Sequence, residues 1–129
     1  TTRNFQPIYF EHGKSTLGDQ FKNEIKEIAD YMRDNENVFL ELNGFSNSLG
    51  SISFNKALSE DRALHIKRLI MREGISTYRI KANGMGIYKD ETAESNSEKN
   101  EVDKQNRRVD LAFKIIHKKG GKKNVKKKK

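Results

Sequence analysis

The stretch 44–63 carries the residue types best suited to hold a charged ligand. A segment rich in Gly, Ser and Asn leads into Ser51 and the start of a helical pattern. Backbone N–H groups at such a helix N-terminus favour an anion, for example a carboxylate. Arg62, farther along the same helix, can reach back toward the loop with a planar fork of N–H donors that suits a carboxylate. The alternative for Arg62 is a surface ion pair with Glu60 or Asp61.

Other residues that could support catalysis form no recognisable pattern. The histidines His12, His65 and His117 fall in a predicted turn, helix and strand end, without the i, i+4 spacing that places two imidazoles on one metal ion. His65 is interpreted as a helix-surface residue. The Gly-Met-Gly segment 84–86 has only part of a dinucleotide-binding spacing and is interpreted as a turn after a strand. Since the chain also lacks Cys, we predict a noncatalytic protein without a metal or cofactor.

The net charge comes entirely from the C-terminal end. The sequence has 26 Lys and Arg against 18 Asp and Glu, a formal charge of +8, and Lys118–Lys129 alone contributes 8 Lys and no acid. A domain that reads nucleic acid usually carries its basic excess on structured elements. We therefore predict no specific nucleic-acid partner. Residues 118–129 have too little apolar content to fold and are predicted to be a disordered Lys-rich tail.

Two segments have the period of amphipathic helices. In the first, apolar residues recur at spacings of 4, 4, 3 and 4, at Leu17, Phe21, Ile25, Ile28 and Met32. The second is predicted to begin after Ser51, which can cap a helix N-terminus, and to end before Gly74. Its apolar positions are Phe54, Leu58, Ala63, Ile66 and Ile70.

Four other segments have strand composition or strict apolar-polar alternation. They are Ile8–Phe10, Val38–Leu42, Tyr78–Ala82 and Val109–Ile115. A helical crossover normally returns the chain parallel, whereas the last strand can run antiparallel to a neighbour. The sequence thus predicts an α/β fold, a two-layer β-α-β-α-β-β sandwich with both helices on one face of a four-stranded mixed sheet.

The length of 129 residues suits one domain, predicted here as residues 1–117. The polar run 89–105 is predicted to be a long surface loop. Nothing approaches the roughly 18 consecutive apolar residues of a membrane-spanning helix. Because the sequence starts without Met or an apolar signal segment, we expect a processed or excised part of a longer protein. Any membrane attachment is expected to lie in other parts of that parent protein.

Several spaced motifs run in order through the chain. They are Gly44-Phe45-Ser46-Asn47-x-x-Gly50, Asn55-x-x-Leu58-Ser59-x-x-Arg62-Ala63, Gly74-Ile75, Gly84-x-Gly86 and Asn106-Arg107-Arg108-Val109. This series resembles the OmpA-like peptidoglycan-binding domain, a family that includes the C-terminal domains of outer-membrane protein A, peptidoglycan-associated lipoproteins and flagellar stator proteins. The resemblance covers about residues 8–116 and implies the same sandwich that the periodicity predicts.

The resemblance implies a binding role for the strand-end loop and the second helix. The family binds the peptide stem of uncross-linked peptidoglycan and grips the zwitterionic end of diaminopimelate. The family's helix Arg corresponds to Arg62 and its helix Asn to Asn55. Asn55 has the alternative role of bracing the helix against the loop. We expect Arg62 to matter more for ligand binding than for stability.

The loop departs from the family pattern of Gly-His-Thr-Asp. Phe45 occupies the His position and could belong to the core, while Ser46 conservatively replaces Thr. Asn47 occupies the position of the Asp, and an amide can accept a hydrogen bond from an ammonium but cannot neutralise it. A looser match implies that His12 and Gly13 form the rim of the pocket.

These residues predict a noncatalytic module that anchors an outer-membrane or envelope protein to the cell wall of a Gram-negative bacterium. The predicted location is the periplasm, in association with the outer membrane. The predicted partner is the diaminopimelate of the peptide stem, with other envelope proteins as further candidates. The alternative is an OmpA-like fold whose ligand site has degenerated and which acts as a protein-interaction or assembly module. Asn47 leaves both interpretations open.

Removal of residues 118–129 tests the interpretation of the charge. We expect the truncated chain to keep its fold and specific binding but to lose most of its retention on heparin, because exposed charges act through screened attraction and the remainder is formally neutral. Heparin chromatography of both chains measures this. Surviving retention, or a loss of more than about 1 kcal/mol in the free energy of unfolding, would contradict the prediction.

Overall fold

A computed structural model describes residues 5–11, 13–46, 51–87 and 107–116. The predicted polar loop and Lys-rich tail lie outside these residues. The described elements confirm the β-α-β-α-β-β order, with short 3-10 turns at Asp19–Phe21 and Thr77–Arg79. In chain order they are β1 (Ile8–Tyr9), α1 (Lys22–Asp34), β2 (Val38–Ser46), α2 (Ile52–Arg72), β3 (Ile80–Ile87) and β4 (Arg108–Ile115).

The strands form the predicted four-stranded mixed sheet, in the order β1-β4-β2-β3. β2 and β3 run parallel, as expected for strands joined by α2, with Leu40 opposite Ile80 and Gly44 opposite Gly84. β4 lies between β1 and β2 and is antiparallel to both. The inward residues of β2 pack with both helices in one core, which confirms the two-layer arrangement.

The first helix begins later than its periodicity predicts. Ile25, Ile28 and Met32 are buried, as expected for the inward face of α1. Leu17, however, precedes the helix, because Gly18 has an extended backbone (φ −80°, ψ 175°) before the 3-10 turn. The Leu17 N–H donates to Nε2 of His65 on α2 instead.

The second helix has the predicted ends but a different buried face in its first half. The side chain of Ser51 accepts from the Phe54 N–H at 3.0 Å, and Gly74 follows the helix with φ +103°. Phe54 was predicted to be part of the apolar stripe, yet it is 60% exposed. The inward stripe begins instead with polar residues and continues with apolar ones, at Asn55, Ser59, Arg62, Ala63, Ile66 and Ile70.

Two strands extend beyond their predicted ends and include glycines that the sequence suggests lie in turns or loops. β2 continues through Ser46, and β3 begins at Ile80 and includes the segment 84–86, so the interpretation of that segment as a turn is wrong. A Cβ atom at Gly44 would overlap the carbonyl oxygen of Ser59, and one at Gly84 would lie 2.7 Å from the Glu60 backbone nitrogen. The missing side chains therefore let α2 sit directly on the paired strands.

Substitution Gly44→Ala tests this close approach. We expect a loss of about 1 to 3 kcal/mol in the free energy of unfolding, because the added methyl group meets the backbone of Ser59, which cannot move without displacing α2. Gly18→Ala is the matched control, since its Cβ meets only the flexible end of the Gln20 side chain. Urea denaturation of both variants compares them; equal stability would contradict the packing argument.

Candidate functional site

Buried polar side chains collect at one end of the sheet. Among the described residues, those that are buried and polar or charged are Ser46, Asn55, Ser59, Arg62 and Arg108. β2 ends here, α2 begins here, and the first residue of β4 lies opposite Tyr9 of β1. We call Ser46, Asn55, Ser59 and Arg62 the polar cluster. It brings together three of the residues predicted to bind ligand.

Arg62 is the centre of the polar cluster. Its side chain is fully buried. Its guanidinium donates from Nε to the Lys14 carbonyl at 2.8 Å and from Nη1 to the Phe45 carbonyl at 2.8 Å. Nη2 lies 3.5 Å from the Glu11 carbonyl, and the guanidinium sits 5.4 Å from the centre of the Phe10 ring. One side chain thus ties α2 to the end of β2 and to the chain that follows β1.

These contacts bear on two expectations for Arg62. The alternative of a surface ion pair with Glu60 or Asp61 is wrong, because Arg62 is buried whereas both acids are exposed. The expectation that Arg62 matters more for ligand binding than for stability is untested, but its burial and main-chain bonds predict a large contribution to stability, since a buried guanidinium that satisfies carbonyls is costly to remove. Helical spacing placed Arg62 near the loop but did not show that this face of α2 packs against the sheet.

Ser46 and Asn55 join the end of β2 to the first turns of α2. The Ser46 hydroxyl donates to the Asn55 carbonyl at 2.8 Å, and Nδ2 of Asn55 donates to the Ser51 carbonyl at 3.0 Å. Ser46 is fully buried and Asn55 is 2% exposed. The link to the end of β2 thus uses the Asn55 main-chain carbonyl, while the Asn55 side chain bonds to the N-cap residue of α2, and bracing of the helix against the loop stays a prediction. Direct contact of either residue with a ligand stays a prediction.

Ser59 belongs to the cluster but was not singled out from the sequence. Its hydroxyl donates to the Lys56 carbonyl at 2.7 Å and accepts from the Gly86 N–H at 3.0 Å, which links α2 to the end of β3. Ser59 follows Asn55 by four residues and precedes Arg62 by three. This i, i+4, i+7 spacing of polar residues was the available signal for a buried polar face.

Two further arginines secure the strands beside the cluster. Arg108 forms a two-pronged ion pair with Asp110, at 2.7 and 3.1 Å, and its guanidinium lies 5.0 Å from the centre of the Phe45 ring. Nε of Arg107 donates to the Phe10 carbonyl at 3.0 Å. Phe45 is buried in this arrangement. The Arg107 bond joins the chain that follows β1 to the start of β4, and the contact of Arg108 with the Phe45 ring leaves Phe45 in a structural role.

Asn47 and His12, the other predicted ligand residues, lie outside the described part of the chain. Their sequence neighbours are described. Ser46 belongs to the polar cluster, and the Glu11 carbonyl faces Arg62. A cavity of about 220 Å³ adjoins this region, and Phe10, Glu11 and Lys14 are among the residues that line it.

The described residues contain no group of three or more His, Asp or Glu arranged to hold a metal ion. Within the same residues, neither helix has the length and apolar character needed to cross a membrane.

The fold is that of an OmpA-like domain. The OmpA family model matches residues 9–107. The chain therefore belongs to the OmpA family, a family of peptidoglycan-binding domains.

Two relatives agree with this assignment. The chain is 29% identical over 107 residues to outer membrane protein A of Bordetella avium, covering 80% of this chain and 52% of that protein. It is 29% identical over 79 residues to outer membrane porin F of Pseudomonas fluorescens, covering 61% of this chain and 24% of the porin. The chain thus spans about half or less of these relatives.

Two solved structures share the fold. The peptidoglycan-associated lipoprotein of Burkholderia pseudomallei superposes with a TM-score of 0.75 at 22% identity, covering 85% of this chain and 91% of that one. The C-terminal domain of Helicobacter pylori MotB gives 0.69 at 15% identity, covering 88% and 87%.

Arg62→Ala measures how much the buried guanidinium contributes to stability. We expect the free energy of unfolding to fall by about 3 kcal/mol, because the carbonyls of Lys14 and Phe45 lose a charged donor and a cavity remains. Arg68→Ala, an exposed arginine on the same helix, should stay within about 0.5 kcal/mol. Thermal and urea unfolding measure the stability of both variants and the parent. An Arg62→Ala domain as stable as the parent would refute the structural role of Arg62.

Proposed function

We propose that this chain is a noncatalytic peptidoglycan-binding module that recognises the diaminopimelate of the peptide stem. The observation that carries the proposal is the buried Arg62 at the end of the sheet, directly beside the residues that precede Asn47 and His12. Family membership supports the peptidoglycan part of the proposal. The choice of diaminopimelate comes from the resemblance of Arg62 and the strand-end loop to the family pattern, and a positively charged site is compatible with its carboxylate.

The cluster suits the carboxylate of such a ligand. The carbonyls of Lys14, Phe45 and Glu11 orient the positively charged guanidinium of Arg62 at this end of the sheet. The N-terminus of α2, a helix of 21 residues, points its backbone N–H groups and the positive end of its dipole toward the same end of the sheet. Both features favour an anionic group here.

Asn47 and His12 are the candidates for the remaining contacts. Consecutive Cα atoms lie about 3.8 Å apart, so Asn47 follows directly from Ser46 in the cluster and His12 from Glu11 beside Arg62. In this proposal the Asn47 amide oxygen accepts from the ligand ammonium, and His12 contributes to the rim of the pocket. Ser46 and Asn55 join the strand and the helix that flank the loop.

The proposed setting is the periplasm of a Gram-negative envelope, in association with the outer membrane. The relatives named above are outer membrane proteins, which supports this location. In that setting the module anchors an outer-membrane or envelope protein to the cell wall, and other envelope proteins are further candidate partners.

A degenerate site that serves protein interaction is the second candidate. Asn47 in place of an acid weakens the case for an ammonium ligand. On the first turn of α2, beside the cluster, Ile52 and Phe54 are 84% and 60% exposed. Large apolar side chains at such exposure are typical of contact surfaces when they form a patch.

Calorimetry with two stem peptides separates the candidates. One peptide ends in diaminopimelate and the other in lysine, which keeps the side-chain ammonium but lacks its carboxylate. We expect the lysine peptide to bind more weakly by about 1.5 to 3 kcal/mol, the range of a hydrogen bond to a charged group. Equal binding of both peptides would overturn the role of Arg62 in ligand recognition. No binding of either would favour the interaction module.

Asn47→Asp is expected to strengthen binding of the diaminopimelate peptide by about 1 kcal/mol, because a carboxylate forms a charge-assisted bond to the ligand ammonium and desolvation offsets only part of the gain. The gain should shrink at high salt. Asn37→Asp is the matched control, since it adds the same charge just before the opposite end of β2. Calorimetry decides: weaker binding by the Asp variant would mean that the pocket prefers a less cationic ligand.

A further inference from the structure

His65 forms a long-range hydrogen bond that the binding site does not use. Its Nε2 atom accepts from the backbone N–H of Leu17 at 3.0 Å, across 48 residues of sequence. The side chain is half-buried, in contrast to the surface position predicted for it. The bond fixes the segment 13–21, which connects β1 to α1, onto the C-terminal half of α2.

This bond requires a neutral imidazole. A backbone N–H can only donate, so Nε2 must carry its lone pair, and the ring proton must reside on Nδ1. Protonation would place an N–H on Nε2, facing the N–H of Leu17. Two donors cannot bond to each other, so the contact is lost when His65 takes up a proton.

The surroundings of His65 oppose protonation while it is folded. Burial lowers the pKa of His65 below its ordinary value, and the charges of Arg68 and Arg72 lower it further. His65 also borders a cleft of about 620 Å³ between the two helices, which opens to solvent. The charged groups that line this cleft are Lys22 and Lys26 of α1, Asp19 of the 3-10 turn, and Arg72 and Glu73 at the end of α2.

The same connecting segment is held by Arg62. Arg62 and His65 are three residues apart on one face of α2, and they bond to Lys14 and Leu17, which are also three residues apart. Lys14 is further tied into a turn by its N–H bond to the Glu11 carbonyl at 3.0 Å. Release of Leu17 therefore loosens the segment that supplies the Lys14 carbonyl to Arg62.

We propose that His65 and Leu17 form a proton-sensitive latch, which holds the segment 13–21 on α2 when the imidazole is neutral and releases it when the imidazole is charged. The latch is a property of the chain without ligand. Its consequence for binding, weaker attachment to the peptide stem at acidic pH, rests on the proposed function.

The direction of the stability change follows from the two protonation states. As the pH falls, the unfolded chain protonates at the ordinary His pKa of about 6.5, before the folded chain does. The stability that the latch contributes is therefore complete above that pH and declines below it, toward the lower pKa of folded His65.

Nuclear magnetic resonance of the ligand-free chain tests the latch. The His65 pKa is read from its ring signals, and protection of the Leu17 amide from hydrogen exchange is compared on the two sides of that pKa. We expect protection to fall about tenfold on protonation, the equilibrium equivalent of one hydrogen bond. In His65→Gln the side-chain oxygen takes the place of Nε2 without titrating, so protection should be nearly independent of pH. His117→Gln controls for removal of an imidazole elsewhere.

Two results would overturn the latch: hydrogen-exchange protection of the Leu17 amide that does not change with the charge of His65, or a His65 pKa at or above its ordinary value. A pH response of the same size in His65→Gln and the parent would also overturn it. Retention on purified cell-wall sacculi is measured in parallel. If the parent does not bind sacculi at any pH, the proposed function fails while the exchange data still decide the latch.

Discussion

The burial of one guanidinium governs the end of this molecule where three parts of the chain meet. Arg62 takes a full positive charge out of water, and it is held there by carbonyls of Lys14 and Phe45 on two separate segments. A charge in this position is tolerated only when its donors are satisfied with good geometry. The connection after β1 and the end of β2 must therefore keep their positions relative to α2. The predicted ligand loop follows directly from the end of β2.

This arrangement of α2 and the two segments depends in turn on the distance between α2 and the sheet. Gly44 and Gly84 face each other across β2 and β3, and neither position has room for a methyl group beneath α2. Close seating of the helix brings the Ser59 hydroxyl to the Gly86 N–H and the Ser46 hydroxyl to the Asn55 carbonyl. The glycines that resemble a loop motif in sequence thus serve first to let polar groups reach each other.

The residues proposed for recognition also stabilise this end of the domain. Arg62 bonds to two segments of the main chain, and His65 holds the same connecting segment one turn farther along α2. A ligand pocket built on a satisfied polar network is rigid, because each side chain has few alternative partners. It is also sensitive to any change, such as protonation of His65, that removes one of the anchors.

Periodicity and residue type were sufficient to determine the element order, the mixed four-stranded sheet and the ends of α2, because repeating apolar positions, the Ser51 cap and Gly74 act through local geometry. The family also followed from spaced motifs. The inward face of α2 did not, since Phe54 carries the apolar signal while Asn55 and Ser59 are the buried residues. Only the tertiary structure decided that, because a polar residue can be buried when a distant backbone group meets its hydrogen bonds, and such partners are adjacent in space but not in sequence.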